Sequence, residues 1–215
     1  VGKDFGWKID DDSNVTKVSA FMVNEEKIGV YQNCGRNDWF NKKGGGKLPA
    51  NVTVYSTINE LKNSGSKGYL IITDEIVDDD SLLQNAVVYR PPSLVVGIGL
   101  HWDTTKDTIK DGLMRCMNKF KLGEKSIARF VSIKKEKDVV GLVELAREMS
   151  TPIQYFEKED LASIDTPNPS NTVQTFEGTP SVSEAAAIKS SEGKLVVEKQ
   201  KFPPNLTIAI ARIPN

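Results

Sequence analysis

The sequence predicts an α/β protein of two small α/β domains, the C-terminal one with a mainly parallel sheet flanked by helices. Its 215 residues are 39% hydrophobic and 27% charged, which is ordinary for a globular protein and sufficient for two modest cores. From residue 94 onward, apolar strand-like runs alternate with helical segments, a pattern typical of parallel sheets covered by helices. The adjacent Pro91 and Pro92 disfavour helix and central strand, and they separate predicted domains 1–90 and 91–215.

Short apolar runs separated by polar turns define the first domain. Residues 16–33 contain two β-rich runs around the polar residues 24–27, which favours a hairpin. The remaining predicted elements are three strands and one short helix, at 51–55, 68–74, 86–90 and 57–63. Together they form a β-α-β unit with one further strand.

The second domain has a more regular pattern. The predicted strands are 94–99, 127–133, 152–156, 194–199 and 206–211. A helix from Thr104 to Phe120 places Ile109, Leu113, Cys116 and Met117 on one apolar face. Residues 163–180 show no period and contain three prolines. They are predicted to form an irregular connection, and connections of this length are usually functional or disordered.

Charge and composition exclude several classes of function. The net charge of −1 indicates neither nucleic acid nor a membrane surface as a partner. The sequence has no apolar run that could span a bilayer and no signal-peptide pattern, so we expect a cytoplasmic protein. Two distant cysteines, Cys34 and Cys116, and the single histidine His101 predict neither a disulfide scaffold nor a metal site built by the protein.

Two short motifs have the spacing of a capping box, in which two side chains satisfy backbone N–H groups at a helix start. One joins Thr104 to Asp107, and the other joins Ser181 to Glu184. The alanines at 185–187 give the second helix high propensity and a slim profile. Another backbone or a flat ligand is therefore expected to approach it closely.

The end of the first strand of this domain is a candidate ligand site. Gly97 and Gly99 close that strand, at the position where open α/β sheets bind ligands. The pattern is only G-x-G, so a ligand-facing loop and a tight strand-to-helix turn both stay open. His101 follows in the loop, either as a general acid or base or as a surface or packed histidine.

The carboxylate and cations near the C-terminus also have two interpretations each. The capping role accounts fully for Glu184, and a catalytic carboxylate is the alternative. Ser181 lacks the motif that surrounds a hydrolase nucleophile, but the helix N-terminus at that residue would attract a carboxylate. The ends of the last two strands carry Lys199, Lys201 and Arg212, either as solvated edge residues or as a clamp for acidic side chains.

Three stretches resemble the C-terminal domain of CbiG-type cobalamin biosynthesis proteins, a domain that stands alone as CobE. They are VGIG (96–99), PSVSEAAAI (180–188) and LTIAIAR (206–212). Residues 1–90 resemble the central domain of CbiG, and we expect the upstream domain of the family pattern to be absent before Val1. After GIG, the family pattern has a Cys-Arg-(Arg/Lys)-Gly-like stretch where this sequence has LHWD (100–103).

The resemblance implies a function in the anaerobic branch of cobalamin synthesis. CbiG-type proteins open the δ-lactone of cobalt-precorrin-5A and release acetaldehyde, which gives cobalt-precorrin-5B. The resemblance implies a tetrapyrrole substrate that carries its own cobalt, no cofactor, and contact with a second copy or with other pathway enzymes. The expected site lies between loop 97–103 and the helix at Ser181. Its catalytic residues are His101 and Glu184, and its substrate-binding residues are Gly97, Gly99, Thr104, Ser181, Lys199 and Arg212.

Two other functions stay open. One is non-catalytic binding or transfer of a corrinoid intermediate in the same pathway. The other is nucleotide binding at residues 97–105, for which the phosphate-binding fingerprint is incomplete. Release of acetaldehyde from cobalt-precorrin-5A distinguishes the hydrolase from both.

Overall fold

The computed structural model describes residues 5–40, 47–169 and 181–215. The chain divides into two units, Val1–Pro92 and Ser93–Pro214, and each has its own five-stranded sheet in the described part. The α/β class that the sequence predicts is confirmed. Of the predicted irregular connection, residues 163–169 contain neither helix nor strand, and residues 170–180 lie outside the described residues.

The first unit is built around a sheet with the strand order β1-β5-β4-β2-β3. Strand β1 is antiparallel to β5, and the other neighbours are parallel. The strands predicted at 51–55, 68–74 and 86–90 and the short helix predicted at 57–63 form within two residues of their expected limits. The elements are β1 (Lys8–Ile9), α1 (Val15–Val23), β2 (Ile28–Gln32), β3 (Val52–Tyr55), α2 (Ile58–Lys62), β4 (Gly68–Ile72), α3 (Asp80–Leu83) and β5 (Ala86–Arg90).

Helix α1 occupies a segment for which the sequence predicted the first strand of a hairpin. Val18 is buried, and Phe21 and Met22 pack against the same core three and four residues later. That spacing is the face of a helix, whereas a strand would alternate every second residue. The hairpin prediction is therefore wrong. The chain instead turns after the helix at Glu25, which has a φ of 60°, and then enters β2.

The second unit has the strand order β8-β7-β6-β10-β9. Strands β6, β7 and β8 are parallel, whereas β10 is antiparallel to both β6 and β9. The elements are β6 (Leu94–Leu100), α4 (Lys106–Lys119), a 3₁₀ turn (Glu124–Ser126), β7 (Ile127–Ile133), α5 (Val140–Glu148), β8 (Ile153–Phe156), α6 (Lys158–Ala162), α7 (Val182–Ser191), β9 (Lys194–Phe202) and β10 (Leu206–Arg212).

The sheet of the second unit is mixed, where the sequence predicted a mainly parallel one. Residues 203–205 join β9 and β10, and a connection of that length can join only antiparallel strands. The central position expected for β6 from its apolar run is confirmed. Leu94, Val96 and Ile98 face the core that helices α4 and α5 cover, while Val95 faces helix α7 on the opposite side.

Helix α7 packs its backbone directly onto strand β6. A Cβ atom on Gly97 would overlap the carbonyl oxygen of Ser183 and would lie 3.0 Å from the Cβ of Ala187. The three alanines at 185–187 are fully buried. The small residues of helix α7 predicted that another backbone or a flat ligand approaches it closely. In the structure it is the backbone of strand β6 that does so, with glycine on the strand and alanine on the helix.

We expect Gly97→Ala to destabilise the second unit by about 3 kcal/mol, because the added methyl group forces the helix away from the sheet. Gly65→Ala is the control, since a Cβ there meets no atom within 4 Å and only the positive φ of 66° opposes it, at about 1 kcal/mol. Urea unfolding followed by circular dichroism measures both. Equal unfolding midpoints for the two variants would contradict the close contact between helix α7 and strand β6.

Helices α4 and α5 are joined at their surface by one carboxylate. Glu148 accepts from the ammonium groups of Lys106 at 2.9 Å and Lys110 at 2.5 Å. Hydrogen bonds from Lys110 and Lys106 lower the pKa of Glu148 to about 2. Since the folded pKa lies below the ordinary value of 4.5, this stabilisation is complete above pH 4.5 and is lost as the pH falls toward 2.

We expect Lys110→Gln to raise the pKa of Glu148, because it removes the ammonium group whose hydrogen bond lowers that pKa most. Carboxyl chemical shifts followed by NMR during an acid titration measure that pKa. The control is Lys158→Gln, which removes an exposed ammonium group on helix α6 that lies outside this pair of helices. An unchanged titration of Glu148 in the Lys110 variant would show that the two lysines do not hold the carboxylate in solution.

Candidate functional site

The loop between β6 and α4 is held by two neighbouring threonines with different functions. Thr104, which is buried, accepts the backbone N–H of His101 at 3.1 Å. Thr105 caps helix α4 by accepting the N–H of Thr108 at 3.3 Å. The capping role expected for Thr104 is therefore wrong by one residue. Thr104 instead fixes the start of the loop that carries His101.

His101 is part of a hydrogen-bonded set of three side chains. Its Nδ1 lies 2.7 Å from Oδ1 of Asp103, which also accepts the side-chain amide of Asn205 at 3.1 Å. Because an ionised carboxylate only accepts hydrogen bonds, Nδ1 carries a proton in this contact, and the tautomer that can accept a proton then does so at Nε2. The imidazole side chain is 56% exposed. This arrangement suits a general base that a carboxylate orients.

Trp102 places an aromatic surface beside this set. Its side chain is 71% exposed, and its ring centroid lies 5.6 Å from that of His101. Burial of such a ring against a ligand would contribute much of the energy of contact. The loop therefore combines a proton-transfer group with a flat apolar surface.

The N-terminus of helix α7 lies at the same end of the sheet. A Cβ on Gly99, two residues before His101, would lie 3.6 Å from the Cβ of Val182. Ser181 begins the helix through its carbonyl, which accepts the N–H of Ala185 at 3.0 Å. The hydroxyl groups of Ser181 and Ser183 are buried and have no hydrogen-bond partner in the described structure. Unpaired hydroxyls beside a helix N-terminus favour a negatively charged ligand.

The sequence predicted that Glu184 completes a capping box with Ser181, and this prediction is wrong. The side chain of Ser181 makes no capping hydrogen bond, and the carboxylate of Glu184 points elsewhere. Its Oε1 accepts the side-chain amide of Asn168 at 2.9 Å and the backbone N–H of Lys199 at 3.0 Å. Its Oε2 accepts the backbone N–H of Asn168 at 3.1 Å. Glu184 is fully buried, and these bonds account for both oxygens.

A β-bulge supplies one of these donors. Gln200 pairs with Ile208 and Val197 with Ile210, so two residues of β9 lie opposite the single residue Ala209. The extra residue in a bulge is left out of the regular ladder. The N–H of Lys199, freed in this way, reaches the buried carboxylate of Glu184.

The side chain of Lys199 closes the same cluster. Its ammonium group donates to the backbone carbonyl of Asn168. Burial lowers the pKa of Lys199, and the negative charge of Glu184 opposes that shift. Lys199, expected to bind substrate, therefore lies next to Glu184, expected to be catalytic, and both hold Asn168 in place.

Arg212 lies at the other end of the sheet. It pairs with Leu94 at the start of β6, whereas Thr207 pairs with Gly99 near its end. Five residues of strand separate these pairs, or roughly 17 Å. The structure thus groups Gly97, Gly99, Ser181, Glu184 and Lys199, places His101 and Thr104 at the adjoining strand end, and sets Arg212 apart.

Three residues of this region were not found by sequence reasoning. Asp103 follows His101 by two positions, a spacing that is itself a usable signal for an oriented imidazole. Asn205 and Asn168 reach their partners from distant segments, and no sequence pattern indicates those contacts.

The described residues contain no cluster of three or more metal-ligating side chains, and no described helix is long and apolar enough to cross a membrane. The cysteines are buried: Cys116 lies in the core, as expected, and burial raises the pKa of its thiol to about 11. At neutral pH that thiol stays protonated and inert.

Comparison with known proteins identifies the family. The family model described as "Cobalamin synthesis G C-terminus" matches residues 94–211, and that described as "Cobalamin biosynthesis central region" matches residues 1–91. The chain belongs to the cobalamin synthesis G family. The resemblance seen in the sequence is thereby confirmed, and the first unit corresponds to the central region of the family.

Two relatives extend the comparison within this family. A cobalt-precorrin-5A hydrolase from Priestia megaterium is 33% identical over 99% of this chain, and the chain spans 57% of the length of that protein. The crystal structure of CobE, a protein from the cobalamin (vitamin B12) biosynthetic pathway, is 25% identical with a TM-score of 0.54. That alignment covers 58% of this chain and 94% of CobE.

We expect Glu184→Gln to destabilise the second unit by about 2 kcal/mol. A Gln side chain replaces one accepting oxygen by an NH₂ group, which faces an N–H donor and leaves it unpaired in a buried site. The control is Glu144→Gln on the exposed face of α5, which we expect to be neutral. Urea unfolding of both variants measures the difference. A Glu184 variant as stable as the control would show that the carboxylate is not a structural acceptor.

Proposed function

We propose that this chain hydrolyses the δ-lactone of cobalt-precorrin-5A and releases acetaldehyde, giving cobalt-precorrin-5B in the anaerobic route to cobalamin. The observation that carries the proposal is the 33% identity to a cobalt-precorrin-5A hydrolase along 99% of the chain. The geometry at the end of β6 supports it, because it offers the groups that this chemistry requires.

The reaction requires one proton-transfer group and donors for a developing oxyanion. Water adds to the lactone carbonyl, and the tetrahedral intermediate expels the ring oxygen as an alkoxide. The alkoxide becomes the carbonyl of acetaldehyde as its carbon–carbon bond to the macrocycle breaks. The electron pair of that bond passes to the macrocycle, which then takes up a proton.

His101 is the proposed general base. Its Nε2 accepts the proton of the attacking water, while Asp103 holds Nδ1 and stabilises the imidazolium that forms. The same proton can then pass to the macrocycle after the carbon–carbon bond breaks, so no external acid is consumed. Glu184 is buried with both oxygens hydrogen-bonded, and we therefore assign it a positioning rather than a catalytic role.

The N-terminus of α7 is the proposed site for the developing oxyanion. Its first N–H groups carry the positive end of the helix dipole, and the hydroxyls of Ser181 and Ser183 are unpaired within the described structure. Glu184 fixes this end of the helix against β9 through Lys199, so the donors are held in position before substrate arrives. Preorganised donors of this kind stabilise a transition state without a reorganisation cost.

The proposal includes the other properties that the family resemblance implies. The substrate carries the cobalt, and the chain uses no cofactor of its own. Nucleic acid and membrane are not partners, and the protein acts in the cytoplasm, either with a second copy or beside other enzymes of the pathway.

We expect His101→Ala to lower the rate of acetaldehyde release at least about 100-fold with little change in substrate affinity, because proton transfer is needed only in the transition state. Asp103→Asn should give a smaller loss, since it removes the charge that stabilises the imidazolium. Anaerobic incubation with cobalt-precorrin-5A and an acetaldehyde assay measure these rates.

The control for this experiment is Glu136→Ala, which removes an exposed side chain between β7 and α5 and should leave the rate unchanged. Full acetaldehyde release by the His101 variant would remove His101 from the mechanism. Corrinoid binding by the wild-type chain without acetaldehyde release would overturn the hydrolase proposal in favour of a binding or transfer protein.

A further inference from the structure

A groove of about 490 Å³ lies between the C-terminal half of helix α4 and strand β9. That volume is within the range of small-molecule pockets, roughly 300–1,000 Å³. The side chains that define its chemistry are those of Arg115, Asn118, Lys119, Gln200, Lys201 and Phe202. Neither the family resemblance nor the proposed mechanism has used any of them.

The groove is positively charged with an aromatic wall. Arg115, Lys119 and Lys201 line it, and its described lining contains no carboxylate. The guanidinium of Arg115 lies 5.6 Å from the ring centroid of Phe202. Its ion pair with Asp111 is long, at 3.5 Å, and both side chains are 68% exposed, so that pair is weak. Three cations and an aromatic ring in one groove favour an anionic ligand with a flat apolar body.

Strand β9, which lines the groove, ends near the strand end that leads to His101. Phe202 pairs with Leu206, which pairs with Leu100, so Phe202 lies two strands or roughly 10 Å from the end of β6. The turn after Phe202 contains Asn205, and Asn205 donates to Asp103. The turn that follows Phe202 therefore links the end of strand β9, which lines the groove, to the His101–Asp103 pair.

We propose that this groove binds carboxylate arms of the polycarboxylate macrocycle while its lactone lies beside His101. The proposal rests on the proposed function for the identity of the substrate, and it assigns substrate specificity to Arg115, Lys119 and Lys201. The arms around the rim of such a macrocycle reach separate cations at once, and its face packs on Phe202. A ligand that lacks these arms gains only the aromatic contact.

The test measures binding of uroporphyrin, a tetrapyrrole with a carboxylate on every peripheral arm and no lactone to hydrolyse. The triple variant Arg115→Gln, Lys119→Gln, Lys201→Gln removes the cations of the groove. The matched control, Lys121→Gln, Lys158→Gln, Lys194→Gln, removes the same total charge at exposed positions outside it. Circular dichroism establishes that both variants keep the fold.

We expect the groove variant to bind uroporphyrin about tenfold more weakly than the wild type, because it loses three exposed charge pairs. The control variant should bind within about twofold of the wild type. Added salt should weaken wild-type binding far more than that of the groove variant, because exposed charges are screened. The same Kd for the two triple variants, or no binding by the wild type, would overturn the proposal.

A second arm distinguishes the class of ligand. Poly-L-glutamate presents carboxylates without a macrocycle, so tighter groove-dependent binding of this polymer than of uroporphyrin would overturn the proposal in favour of an acidic protein partner. Because uroporphyrin is not turned over, failure here is separate from failure of the hydrolase proposal. A wild-type chain that releases acetaldehyde but shows no groove-dependent binding would refute only the proposal that the groove binds the substrate. A chain that binds through the groove without releasing acetaldehyde would refute only the hydrolase.

Discussion

The direct contact between helix α7 and strand β6 sets the geometry of the second unit. Because the carbonyl of Ser183 occupies the space of a side chain at Gly97, the helix lies closer to the sheet than any larger residue would permit. That closeness brings the start of the helix beside Gly99, at the strand end that leads to His101. It also buries Glu184 deeply enough to meet a backbone donor of strand β9.

The buried carboxylate of Glu184 joins three segments of the second unit. Leaving a charge in a protein interior is costly unless hydrogen bonds and an opposite charge compensate it. Glu184 receives three N–H donors from Asn168 and Lys199, and the Lys199 ammonium group lies in the same cluster. Helix α7, the bulge of β9 and the irregular segment at Asn168 are thereby held together, and each depends on the others for its position.

The fold could be predicted where a single local pattern decides the structure. Strands Ala86–Arg90 and Ile127–Ile133 have the predicted limits, because each is rich in β-branched and aromatic residues and is bounded by polar residues or proline. Helix α1 was not predicted, since Val15 and Val18 favour strands locally and only their packing against the core selects a helix.

The candidate site could be predicted in its position but not in its contacts. The end of β6 and its histidine follow from the alternation of strands and helices. The bond between Asp103 and Asn205 joins residues 102 positions apart, and no periodic pattern encodes it. The motif at Ser181 and Glu184 matched a capping box, yet the carboxylate serves the bulge instead. A capping box is a local pattern, whereas the backbone N–H of Lys199 reaches Glu184 from a strand 15 residues later in the sequence.

The edges of the second sheet have a consequence for the behaviour of the protein at high concentration. Strand β9 forms one edge, its register with β10 shifts twice, and Lys194, Glu198 and Lys201 are exposed along it. Strand β8 forms the other edge and has only four residues. Irregular, charged or short edge strands are poor templates for a strand of another molecule. Both sides of this sheet are therefore protected against aggregation through intermolecular strand pairing.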